Sequence, residues 1–222
     1  MVTKPARHPR GPRPERVDTS RILDAAQEVF SQAGLQAASI RAIARLAGCD
    51  PALIYYHFEN KEALFLALAN RRLPPIAEAL SRLADPACTL TTRDRLWSAL
   101  EVFHRHLGDD AGFRSLFRGQ LIQGSDATKD AVAALLHPII SSVVGILQQG
   151  LERGDLRPDL NPRTAAFFVA RMHMEILDLV PSMGPRMPAI LADQSLTSVR
   201  QAWLEFAWRA IASTPPSANG AP

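Results

Sequence analysis

Between Ser39 and Lys61 the chain gathers Arg41, Tyr55, Tyr56, His57 and Lys61. Each carries N–H or O–H donors that suit a polyanion. An arginine can bridge O6 and N7 of guanine. Tyrosine hydroxyl, imidazole and ammonium groups can donate to phosphate oxygens. Among them stand Pro51, Ala52 and Leu53, whose apolar surfaces can meet only a partner such as a thymine methyl. This is the chemistry of recognition, not of bond breaking. The sequence has no Gly-rich phosphate loop, nucleophile elbow or HExxH pattern, so neither an enzyme nor a cofactor is expected.

Such donors work only if short, rigid elements hold them. Asp18 is a suitable N-cap for a helix from about Thr19 to Ala33, with Ile22, Ala26, Val29 and Phe30 as its apolar stripe. Gly34 stands where a left-handed C-terminal cap is needed. Ser39 caps a second helix bearing Ile40, Ile43, Ala44 and Ala47, which Gly48 stops. Asp50, with Pro51 in the first turn, starts a third helix that ends near His57. Either Leu53 or Ile54, with Phe58, supplies its inner face. Asn60 and Lys61 start a fourth, which runs to about Leu73 before Pro74 and Pro75. Two short helices joined by a glycine turn, with small residues where they cross, make a helix-turn-helix candidate.

The run AASIRAIARLAGCDPALIYYHFENKEALFLAL, preceded by RILDAAQEVFSQAGL, resembles the N-terminal domain of TetR-family (tetracycline-repressor-type) regulators. The resemblance covers roughly residues 18–68 and is most specific from Gly48 to Lys61, with Leu64 behind it. It implies that Arg41 reaches the groove and that Ser39 is a phosphate-contacting cap. It places Pro51, Ala52, Leu53 and Tyr56 at base edges, and Tyr55, His57 and Lys61 on backbone phosphates. One departure stands out. Asp50-Pro51-Ala52-Leu53 is poor in donors, so readout should rest more on Arg41, Tyr56, van der Waals contacts and DNA shape. Arg45 is expected to be a solvated helix charge, and Cys49 a small apolar filler.

Helical periodicity continues over approximately 75–84, 92–107, 111–123, 128–153, 162–180 and 193–212. The expected fold is all-α: a three-helix DNA-binding head (17–72) on a helical ligand-binding and dimerisation body (73–213). A basic arm (1–16) and a tail (214–222) read as disordered. The arm carries a net charge of +4, residues 17–72 a net of 0, and the remainder −1, so the excess positive charge sits where it can attract a polyanion. The resemblance also implies an effector pocket in the body. Its candidates are Trp97, Phe103, Phe113, Phe117, Gln120, Met172 and His173, although such a stripe also suits plain core. It further implies a homodimer built by the last two long helices, with Trp203, Phe206 and Ala210 at the interface.

No run of about 18 apolar residues suggests a membrane span, and two cysteines suit a reducing cytoplasm. His104 and His106, two apart on a helix, do not face each other, and no metal site is expected. The functional expectation is a DNA-binding regulator, a repressor released from a pseudo-palindromic operator by a small hydrophobic effector. The alternative is a DNA-associated architectural or interaction protein of the same fold without a small-molecule ligand.

Overall fold

The computed structural model describes residues 18–183 and 194–213. The basic arm and the tail lie outside the described residues. Ten helices succeed one another among those described: α1 (Thr19–Ala37), α2 (Ile40–Ala47), α3 (Pro51–His57), α4 (Lys61–Arg72), α5 (Pro74–Ala84), α6 (Thr92–Leu107), α7 (Ala111–Gln123), α8 (Asp126–Glu152), α9 (Pro162–Met183) and α10 (Leu196–Ile211).

Local chemistry explains most of the boundaries. Asp18, Ser39, Asp50 and Asn60 each accept a hydrogen bond from a backbone N–H in the first turn of the next helix, satisfying donors that have no intrahelical partner. Gly48 ends α2 in the left-handed region, at φ 67° and ψ 37°. Gly34 also has a positive φ, 74°, but its ψ is 165°. It kinks α1 rather than ending it, and helical turns resume as far as Ala37. α8 starts at Asp126, two residues before the expected position, because Ser125 caps it by accepting from the Thr128 N–H.

α1 to α4 form the head and α5 to α10 the body, yet most of their buried apolar side chains make one continuous cluster, from Ile22 through Leu68 and Ile76 to Ile211, with a small second one of Leu100, Val169 and Leu204. Head and body meet along several surfaces, α4 also packing on α8. α1 lies along α7, where Gly112 permits close approach: a Cβ there would sit 2.4 Å from the Ser31 side chain. α4 runs directly into α5 through the buried Leu73. Within the body, α5 and α6 pack on α8, and α9 packs on α8 and α10. Leu156 pairs with Ala212 in a single antiparallel bridge, closing the foot of the body.

Buried arginines hold body elements together. Arg95 donates to the carbonyls of Leu90 (3.1 Å) and Cys88 and to Oε1 of Gln149 (2.7 Å), fastening the α5–α6 loop to α8. Arg200 pairs with Glu101 between α10 and α6, and Arg114 pairs with Asp178 between α7 and α9. α8 is, by length and composition alone, long and apolar enough to cross a membrane. Its Val132, Ile139, Val143, Ile146 and Leu147, however, are buried in the core.

His173 on α9 is fully buried near Arg200 and His104. Burial first, and then those two neighbours, push its pKa down from 6.5 to about 4. The folded chain therefore prefers the neutral ring. The associated stability is complete above pH 6.5 and is lost as the pH falls toward 4. Since a tenfold change in proton affinity is worth about 1.4 kcal/mol, roughly 3 kcal/mol is at stake. Urea unfolding at pH 7 and pH 4.5 should show wild type losing more stability than His173→Gln. Equal losses would mean that the ring is already protonated, or solvated, in the fold.

Candidate nucleic-acid interface and the cavity behind it

α2 and α3 dock on the head by one side each. Ile40, Ile43, Ala44 and Ala47 are the buried side of α2. Ile54 is the one fully buried residue of α3, with Leu53 and Phe58 half-buried against the same core. The inner residue is thus Ile54, and Leu53 is drawn partly inward, away from the wholly exposed position that base-edge contact would suit best. Arg41 and Arg45, one turn apart on α2, are exposed, as are Ala52, Tyr55, Tyr56 and His57 on α3. Tyr55 and Tyr56 are successive residues, yet both project outward, 59% and 82% exposed. That is possible because so little of this short helix is covered. The Tyr56 ring stands edge-on to His57 with centroids 5.1 Å apart, which restricts both.

Three positions behave differently from a simple donor surface. The Ser39 oxygen accepts from the Ala42 N–H at 3.1 Å, leaving its hydroxyl proton for an outside acceptor. Asp50 caps α3 through the Ala52 N–H at 2.8 Å. The Lys61 ammonium donates to the carbonyls of Gln36 (2.7 Å) and Ala38 (3.1 Å). Lys61 therefore ties α4 to the end of α1, and one of its three protons remains for a phosphate. Arg21 was not conspicuous in the sequence. Its guanidinium lies beside the turn, with Nη2 3.3 Å from where a Gly48 Cβ would be. Only the folding of α1 across the α2–α3 turn brings it there.

Behind the interface, the body encloses a cavity of about 230 Å³ between α6, α7, α8 and α9. Of the candidates from the sequence, Phe103, Phe113 and Phe117 line it. Trp97 instead faces a smaller pocket between α6, α9 and α10. Gln120 and His173 are buried outside the cavity lining, and Met172 is on the outside of α9. Helical spacing alone could not separate the two sides of α9: Ala170, Arg171, Met174 and the exposed Phe167 line the cavity, whereas Phe168 and Met172, also exposed, do not. Trp203 is half-buried and its ring lies 6.0 Å from that of Phe206. Phe206 and Ala210 are exposed on α10.

The cavity and the head share a wall. Leu73, at the α4–α5 junction, and Phe113 both line the cavity. Arg72, the last residue of α4, lies over the Phe113 ring at 5.1 Å. It also pairs with Asp110 at 3.0 Å and donates to the His106 carbonyl at 3.0 Å. Gln27 of α1 donates to the same Asp110 carboxylate.

A profile described as bacterial regulatory proteins, tetR family, matches residues 22–68. The HTH-type transcriptional regulator UidR of Escherichia coli K12 is 31% identical over 147 residues, covering 64% of this chain and 70% of its own. The chain belongs to the TetR family. Its fold agrees with this. The transcriptional regulator FadR of Bacillus subtilis, solved in complex with stearoyl-CoA, superimposes with a TM-score of 0.71 at 20% identity, over 86% of this chain and 97% of that one. SmeT, the repressor of the Stenotrophomonas maltophilia multidrug efflux pump SmeDEF, gives 0.68 at 21% identity, over 93% and 98%. As a TetR-family protein the chain is a transcriptional regulator with a helix-turn-helix head, all-α throughout its described helices.

The left-handed backbone at Gly48 gives a test of the turn. Gly48→Ala places a Cβ in a disfavoured conformation, costing roughly 1–2 kcal/mol, with Arg21 crowding it at 3.3 Å. The melting temperature should fall by several degrees, and by less in Gly48→Asn, because asparagine tolerates this region. Equal melting of all three proteins would contradict the turn geometry.

Proposed function

We propose that this TetR-family regulator is a homodimer that grips a pseudo-palindromic operator and is released by a small apolar or amphipathic effector. It acts as a repressor wherever the operator overlaps a promoter. The setting is the cytoplasm, on the nucleoid when DNA is bound. Residues 17–72 form the reading head and 73–213 the sensing and pairing body.

Arg41 and Tyr56 then carry most of the base readout, while Pro51, Ala52 and Leu53 add van der Waals contact. Ser39, Tyr55, His57 and the remaining proton of Lys61 fix the head on phosphates. Arg21 stands close enough to the turn to join them. The exposed apolar side chains Phe168 and Met172 of α9, with Phe206 and Ala210 of α10, suit a two-fold face in which four helices pack together. Trp203 supports that face from beneath. Two heads held this way address successive turns of one DNA face, ~34–36 Å apart.

The observation that carries the effector reading is the shared wall. An occupant of the cavity must press on Phe113 and Leu73. Phe113 is held by the same Arg72 that anchors α4 to Asp110 and His106. Movement there tilts the head and changes the spacing of the two recognition helices, so ligand and operator favour different arrangements. FadR, which was solved with stearoyl-CoA, and SmeT, a repressor, share this fold, which supports an effector-responsive repressor.

Filling the cavity from within tests this without knowing the effector. Ala170 lines the cavity, so Ala170→Phe supplies a permanent occupant. Measured by fluorescence anisotropy on DNA selected by the wild type, its affinity should fall about tenfold or more, in line with typical coupling energies. Arg72→Met should break the link and leave the affinity of the double variant near that of Arg72→Met alone. A folded Ala170→Phe protein that binds DNA as tightly as wild type would overturn the effector reading.

A further inference from the structure

Four charged side chains line the cavity: Arg114, Arg118, Arg171 and Asp178. They are not equivalent. Arg114 is almost wholly buried and already committed to the protein. Its Nε donates to Asp178, its Nη1 to the carbonyls of Leu107 and Gly108, and its Nη2 to that of Leu177 at 2.9 Å. It ties the C-terminal end of α6 to α9. Arg171 pairs with Glu175 one turn along α9, at 2.7 Å. Arg171 thus has a carboxylate of its own outside the lining, whereas Arg118 shares Asp178 with Arg114. A guanidinium has five N–H donors, and among the described residues Arg118 gives only one of its nitrogens, Nη1, to Asp178 at 3.0 Å. Its side chain is 38% exposed.

The apolar lining is graded in the same sense. Leu73, Phe113 and Ile139 are buried lining residues. Leu121, Ile140 and Phe167 are exposed apolar side chains that also line the cavity, and so they mark its mouth. Leu121 is one helical turn beyond Arg118 on α7, on the same side. The cavity is thus a hydrocarbon-lined recess with a cation near its mouth whose donors are largely unused. The one carboxylate in the lining bridges two arginines, which leaves the wall with excess positive charge. An acceptor of negative charge placed beside Arg118 gains charge-assisted, fork-shaped hydrogen bonds next to a low-dielectric wall. A neutral head gains less, and a cationic one is repelled.

We infer that the cavity takes an anionic amphiphile, its carboxylate or phosphate-type head held by Arg118 and its hydrocarbon tail directed toward Phe113 and Leu73. The inference rests on the cavity being the effector site and adds the class of effector. It also gives tail length a role, because only a tail that reaches Phe113 touches the residue under Arg72.

Titration calorimetry of the full chain with decanoate, decyl phosphate and 1-decanol, each below its micelle concentration, tests this. At least one anion should bind about tenfold tighter than the alcohol, as a hydrogen bond to a charged group allows. Arg118→Gln should abolish that preference and leave 1-decanol binding unchanged, while Arg118→Lys should keep part of it. Melting curves of both variants check that they fold. The inference is overturned if 1-decanol binds as well as both anions, if the preference survives Arg118→Gln, or if none of the three binds. Operator affinity, measured alongside, keeps the two ideas apart. An Arg118-dependent anion preference with no effect on DNA binding would sustain the anion site and remove the effector reading. Operator release by 1-decanol without anion preference would do the reverse.

Discussion

A helix of seven residues cannot hold its own shape in water, because the nucleation cost of a helix is recovered only over longer segments. α3 is such a helix, and the rest of the head can be understood as the means of stabilising it. Asp50 satisfies a free N–H at its start, Pro51 fixes φ in its first turn, and Ile54 pins it to the core. Gly48 lets α2 end in a left-handed turn close enough for Arg21 to lie against it. Lys61 fastens the next helix to the end of α1. The result is that Tyr55, Tyr56 and His57 stand outward on a rigid mount. Donors on a frayed segment would have to be ordered at the moment of binding, at an entropic cost.

The same economy of contact connects the head to the body. The continuous core means that the head is not on a free hinge. Gly112 brings α7 against α1, and Arg72 joins α4 to α6 and α7 through one carboxylate, one carbonyl and one aromatic face. Packed interfaces of this kind shift between discrete arrangements rather than bending continuously. Under the proposed effector response, a small displacement of Phe113 would become a rotation of the whole head.

How much of this the sequence reveals depends on the range of the interaction. The caps Ser39, Asp50 and Asn60 and the stop at Gly48 are local chemistry, legible in one pass, and the helices they bound are found where expected. Gly34 was legible as an interruption but not as a kink, because the turns after it are set by the packing of Leu35 and Ala38 into the head core. The choice between Leu53 and Ile54 needed the docking angle of α3. Lys61 looked like a phosphate donor, and only the folded chain brings the carbonyls of Gln36 and Ala38 within its reach. The cavity was least legible. Phe167 and Phe168 are successive residues of α9 and equally exposed, yet of the two Phe167 lines the cavity and Phe168 does not. Arg118, Leu121 and Ile140 carry no motif and become neighbours of one space only through the packing of α7 on α8 and α9.

The surface of α2 and α3 is held to read DNA with two-fold symmetry, and everything else about function depends on that. Selection of bound duplexes from a random library at near-physiological salt, using wild type and an Arg41→Ala, Tyr56→Ala double variant, tests it most directly. Wild type should enrich a site with two inverted half-sites about one helical turn apart, and the folded double variant should not. Failure of wild type to enrich any site, enrichment of a single asymmetric one, or enrichment of the same site by the double variant would contradict it.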